Sequence, residues 1–425
     1  MIKKCRFCEK NRFENIIDLG NQPLSGVFPN INSKDPPRNK LQLIRCVNCK
    51  LIQLKHTANI KKMYGGDYGY NSSLSKLMIN HLRSEFNNLM NYAKFKSNIS
   101  VLDIGSNDST FLSFYEKNIF KLGVDPSGNR FLKNYKKNNA YLINDFFSYE
   151  NISKKYPNKK FDIITSYAMF YDIDNPLSFC KDINKLLCHN GVWNLELSYL
   201  PLLIQNMTYD QICHEHLTYY DLTMLKKIFS LAKLKILHVS FNEINGGSFN
   251  IICSKINSRF KPNNKMLNNV INNEKLLLYE GDLSSFALRV KNSAKVVKSY
   301  LNLLKETKKR VIGYGASTKG NIVLNYLKID STLLSFICDQ NTFKLNKITP
   351  GSRIMIISKN KMRSMNCDYL FVLIWPFRKE VISQEIAYIK KGGKLIFPLP
   401  MLHIVDKSNY KDYLKRDLAD FAFKL

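Results

Sequence analysis

The stretch VLDIGSNDSTFL, Val101 to Leu112, decides the fold. Val101, Leu102 and Ile104 surround one acid, Asp103, and Gly105 and Ser106 follow at once. That order predicts an apolar strand, a glycine turn and then a helix. Working outward, FKLGVDPSGNRFLKNYKKN (120–138) gives a strand, an acid at its end (Asp125) and a helix. AYLINDFF (140–147), FDIITSYAMFYDIDNPLSFCKDINKLL (161–187) and NGVWNLELSYL (190–200) continue the series. Strands alternating with helices predict an α/β fold, a parallel sheet with helices on both faces. Ligands on such sheets meet the carboxyl ends of the strands.

Asp103, Gly105 and Ser106 stand as strand, Asp, x, Gly, small residue. This resembles the first motif of class I S-adenosylmethionine methyltransferases. It lacks the third glycine of a dinucleotide fingerprint. Gly105 lets backbone pass close to a ligand, and Asp103 can take the ligand's amino group. Asp125 can accept both ribose hydroxyls, as an acid about 20 residues on does in dinucleotide folds. Asp145 can accept from the adenine amine, and Phe146 can flank the ring.

Two further segments flank this core. Residues 1–60 carry CRFC (Cys5, Cys8) and CVNC (Cys46, Cys49). Two paired thiolate turns complete a tetrahedral four-sulfur site, which suits Zn2+. With four sulfurs no position is open, so this zinc is expected to be structural. The other six of the ten cysteines are scattered. Residues 61–255 form the methyltransferase core, and residues 256–425 a Rossmann-like C-terminal domain. An Asn- and Lys-rich linker is expected near 255–275. The last domain holds GYGASTKGN (313–321), a second glycine turn, where Lys319 can meet a phosphate.

The chain has 425 residues and a formal charge of +30. The lysines are scattered in twos and threes, as in KNYKKNN, without a basic arm, so solvated lysine faces are expected rather than a nucleic-acid partner. No apolar run is long enough for a bilayer. The N-terminus MIKKCRFCEKNRF has no secretory apolar region, which predicts a cytoplasmic protein.

DQICHEHLTYY (210–220) holds two of the seven histidines. His214 and His216 are two apart, so on a helix they point away from each other, unlike the i, i+4 pair of HExxH zinc sites. The other five histidines, His81 among them, read as solitary structural or surface residues.

The order of CRFC, NQPLSGVF, CVNC, VLDIGSNDSTFL, YDQICHEHLTYY, INGGSFNI and GYGASTKGN resembles the sugar C-methyltransferases that act on nucleotide-linked 4-keto sugars. The resemblance covers nearly the whole chain. It implies S-adenosylmethionine in the middle domain and a nucleotide diphosphate sugar between the middle and C-terminal domains. It implies His216 as base, with Glu215 beside it. It makes Tyr68 and Tyr70 of YGYNSS, together with Cys213 and Lys319, candidates for the substrate wall. Cys213 stands where relatives carry a tyrosine, and Tyr167 and Tyr171 stand where they carry Asn and His. His214 and Tyr171 are candidate donors to an enolate oxygen. Two other readings remain open on the residues: a sugar O-methyltransferase, and a zinc protein that binds or modifies nucleic acid.

Overall fold

The structure, a computed structural model, describes residues 1–58, 71–94, 99–279, 283–417 and 420. Tyr68 and Tyr70 lie outside the described residues.

Three sheets organise the chain. The first begins with the antiparallel strands β1 (Phe13–Pro23), β2 (Arg38–Cys46) and β3 (Ile52–Leu54). The second holds β4 (Ser100–Ile104), β5 (Phe120–Val124), β6 (Tyr141–Ile143), β7 (Phe161–Tyr167) and β8 (Leu187–Ser198). Then β9 (Thr218–Tyr219) returns to the first sheet and pairs with β3. β10 (Leu234–Asn242) and β11 (Ser248–Lys255) complete the second sheet, in the order β10-β11-β8-β7-β4-β5-β6. Only β11 runs against the other strands there. The third sheet comprises β12 (Val311–Tyr314), β13 (Ile337–Asp339), β14 (Ile356–Ser358), β15 (Tyr369–Val372), β16 (Lys394–Phe397) and β17 (His403–Val405). Its order is β14-β13-β12-β15-β16-β17, parallel except at β17.

The parallel strands are near-continuous apolar runs because both faces are covered. Val101, Leu102 and Ile104 of β4 are fully enclosed, as are Ile163 and Ile164 of β7. Asp103 stands one residue before the end of β4 and pairs with Gly123 and Thr165 near the carboxyl edge.

Two local expectations change. The helix predicted after Gly105 is reduced to a 3-10 turn, Phe111–Phe114. Asn107 and Ser109 stand at positive φ, +45° and +65°, which interrupts the αR run. The Asn- and Lys-rich linker contains a helix, Asn264–Glu274, opened by the Asn263 side chain accepting from the Met266 amide. Its composition hid the role of its last residue. Glu274 accepts from the Leu222 and Thr223 amides at 2.7 and 2.9 Å, capping helix Leu222–Leu231. Caps of this kind contribute about 1 kcal/mol.

The first sheet does not stand alone. Ile17, Leu19 and Leu43 share a core with Phe286, Val290 and Val297 of helix Ser284–Glu306. The cysteine module is thus packed on the C-terminal third, and it also takes β9 from the middle of the chain.

Candidate active site

A cavity of about 370 Å³ opens at the carboxyl ends of β4, β5, β7 and β8. Its far wall is Cys213, Glu215 and His216 of the loop before β9, with Asn245, Thr318 and Lys319.

The sheet side of the cavity is acidic and preformed. Asp103 Oδ1 accepts from Thr165 Oγ1 at 2.6 Å. Burial pushes its carboxyl up to about 7, and the nearby Asp125 and Asp108 charges add to this. Asp125 Oδ2 accepts from the Asn107 amide at 2.9 Å, and its Oδ1 from the Ser127 amide at 2.7 Å. Gly105 stands at φ +72°, and a Cβ there would lie 3.0 Å from Met169 Cγ. Ser106 lines the cavity, yet its hydroxyl meets Tyr135 Oη at 2.8 Å. Phe146 also lines the cavity, whereas Asp145 does not. The Asp145 carboxylate accepts from the Phe146 amide at 2.7 Å and from Asn151 Nδ2 at 3.1 Å. β6 is only three residues long, so the chain has already turned at this acid.

This wall fits S-adenosylmethionine. Two enclosed carboxylates suit an ammonium and a pair of hydroxyls, and an apolar ring flanks them.

The loop side carries Glu215 and His216. The His216 amide donates to Cys213 O at 3.2 Å, closing a turn. The imidazole packs on Tyr171, with ring centroids 4.0 Å apart. Burial and the Lys319 charge push its pKa down to about 3, so the ring is neutral near pH 7. Burial raises the Glu215 carboxyl, opposed by its backbone and the Cys213 thiol. Glu215 Oε2 is buried without a hydrogen-bond partner among the described residues. Gly26 of the first segment closes over this carboxylate, and a Cβ there would lie 2.7 Å from Glu215 Oε1.

His214 takes the other side of the turn. Its Nε2 lies 3.2 Å from Asn39 O, and it does not line the cavity. As an enolate donor it is therefore misplaced, because alternate residues of this turn face opposite ways. Tyr171 accepts from the Leu217 amide through its carbonyl at 2.9 Å, and its ring sets the plane of His216.

Sequence reading missed Glu196, and it misjudged His81 as solitary. His81 Nε2, from helix Lys76–Ala93, lies 2.9 Å from both oxygens of Glu196 on β8. Asn242 Nδ2 donates to Glu196 Oε2 at 2.7 Å. Glu85, one helical turn from His81, is pushed up to about 7 by burial and by Glu196. The available signal was a glutamate inside the largely apolar VWNLEL strand.

The four expected cysteines converge. Cys5 and Cys49 sulfurs are 3.6 Å apart, Cys8 and Cys46 sulfurs 3.5 Å, and all four lie within 4.8 Å. A tetrahedral zinc with bonds of about 2.3 Å needs sulfurs about 3.8 Å apart. Gln53 Nε2 points at Cys5 Sγ from 3.2 Å, a donor suited to a thiolate.

Three domain families match the chain in order. A zinc binding domain matches residues 5–64, a methyltransferase domain 77–239, and a C-methyltransferase C-terminal domain 243–400. Together the three matches span most of the chain, and the last of them is a C-methyltransferase domain. The chain is an S-adenosylmethionine-dependent methyltransferase with a zinc-binding module. The methyltransferase is 24% identical to "C-methyltransferase NovU" of Streptomyces niveus, over 95% of this chain and 97% of that protein. Solved structures also align with its middle part. A methyltransferase of Clostridium acetobutylicum is 12% identical with a TM-score of 0.34, over 42% of this chain and 92% of that one. The PH0226 protein of Pyrococcus horikoshii is 17% identical with a TM-score of 0.37, over 46% of this chain and 100% of that one. Among the described residues, no helix of the methyltransferase is long and apolar enough to cross a membrane.

Proposed function

We propose that the methyltransferase methylates a carbon next to the ketone of a nucleotide-linked 4-keto sugar, in cytoplasmic deoxysugar or polysaccharide precursor synthesis. The observation that carries this reading is a neutral, enclosed His216 in the same cavity as Asp103 and Asp125.

Carbon is a poor nucleophile until a proton leaves it. A ketone acidifies its neighbouring C–H, and a neutral imidazole is a suitable acceptor for that proton. His216 takes it, held in plane by Tyr171. Glu215, with one oxygen unpaired among the described residues and Gly26 pressed over the other, orients the substrate beside the imidazole. Cys213 leaves more room there than the tyrosine of relatives. Asp103 and Asp125 hold the amino and ribose groups of S-adenosylmethionine, the Gly105–Ser106 backbone passes beside it, and Phe146 flanks its base. When bound, it supplies an electrophilic methyl group. The protein's task is deprotonation, orientation and exclusion of water.

The test is a screen of nucleotide 4-keto sugars with methyl-13C S-adenosylmethionine, read by NMR of the product. A new methyl bonded to carbon is expected, with turnover lowered about 10²–10⁴-fold in His216→Ala while cofactor binding persists. A methoxy signal would move the reaction to oxygen. Full turnover in the variant would remove His216 as base.

A further inference from the structure

Six carboxylates line the cavity: Asp103, Asp125, Asp172, Asp174, Glu196 and Glu215. Among the described lining residues, Lys319 is the one lysine or arginine. Its Nζ donates to Asn245 O at 3.3 Å, from the first turn of helix Thr318–Tyr326. The amino end of that helix adds positive potential in the same place. The opposing charge of Asp210 is fixed behind the cavity wall by Trp375 Nε1 at 2.7 Å. Lys319 acts electrostatically on both Asp210 and His216.

A lone cation in an acidic, enclosed cavity has a selective use. A diphosphate brings several negative charges and would meet, among the described lining residues, one ammonium and six carboxylates, of which Asp174 is paired with Arg6 and Glu196 with His81. A ketone brings none until its neighbouring proton leaves. We propose that Lys319 is a catalytic residue whose ammonium donates to the enolate oxygen formed when His216 takes the alpha proton, and that the diphosphate lies outside this cavity. The proposal rests on the carbon-methylation reading above. In the step, the C–H bond breaks and its proton goes to the imidazole. The C–H electron pair becomes the carbon–carbon double bond, and the carbonyl π pair moves to oxygen, where Lys319 donates a hydrogen bond. The cation is needed only once that charge exists, the requirement for lowering a barrier rather than tightening binding.

The experiment measures deuterium uptake from D2O at the alpha carbon of the best 4-keto sugar nucleotide from the screen, with S-adenosylhomocysteine present. No methyl transfer is involved. Wild-type protein is expected to exchange. Lys319→Met is expected to exchange roughly 10²–10³-fold more slowly at saturating sugar, with sugar affinity changed less than threefold. Lys319→Arg, which keeps the charge, is expected to recover at least tenfold of that loss. S-adenosylhomocysteine affinity reports that each variant is folded. Wild-type exchange in Lys319→Met with weakened sugar binding would overturn the proposal and assign Lys319 to the diphosphate. Absence of exchange in wild type would instead sink the carbon-acid reading, and the proposal with it.

Discussion

The chain builds the same strand–glycine–acid unit twice, and only one copy brings its acid to the cavity. In the middle sheet the Gly105 amide donates to Val124 O, and Asp125 accepts from the Asn107 amide. In the C-terminal sheet the Gly315 amide donates to Cys338 O, and Asp339 accepts from the Ala316 amide at 2.8 Å. The glycine bonds correspond, while the amide that reaches the acid lies two residues past the glycine in the first copy and one past it in the second. The difference is what stands beside the acid. Asp125 lines the cavity, whereas Lys344 lies 4.0 Å from Asp339 and donates to Ala316 O at 2.7 Å. A lysine of the protein's own occupies the ground where the first copy leaves room. A glycine turn thus specifies a backbone, and the neighbouring side chains decide whether a ligand can use it.

The comparison can be broken at its strongest point first. Asp125→Ala is expected to weaken S-adenosylmethionine binding about tenfold to hundredfold by calorimetry, the range for hydrogen bonds to a charged group. A change under threefold would mean that Asp125 does not hold the ribose. The next effect is one of pH. The Asp103 carboxyl is raised to about 7, so it gains a proton as pH falls through that value and loses its attraction for an ammonium. Cofactor Kd is expected to rise by up to about tenfold per pH unit below 7, and to level off above it. A flat Kd between pH 5 and 8 would remove Asp103 as the amino contact. The smallest effect is expected at the second copy. Asp339→Asn should change cofactor Kd by less than about twofold, because Asp339 does not line the cavity and Lys344 stands beside it. An effect as large as that of Asp125→Ala would show that the two turns are not divided as described.

What the sequence revealed follows a physical rule. Asp103, Asp125 and the two cysteine pairs were legible because each is fixed by short-range geometry, a strand end or a tight turn. Asp145 lies outside the cavity lining, and the three-residue strand before it gave no reliable end to count from. His214 and His216 separated only when the turn placed them on opposite sides. The His81–Glu196 pair joins a helix to a strand 115 residues away, and no local pattern carries such a contact. The return of β9 to the first sheet was hidden for the same reason, since two residues have no period to detect.

The loop that carries His216 is anchored by parts of the chain to which it does not belong. Before it, Asp210 is held by Trp375. After it, the Leu54 amide donates to Leu217 O, and Thr218 pairs with Gln53. During synthesis, the cysteine module and the glycine turn of the middle sheet emerge well before Trp375 does. A nascent chain can therefore complete the Gly105 turn and Asp125 while the loop of His216 still lacks its anchor. The full cavity wall arrives late, once the last third has docked.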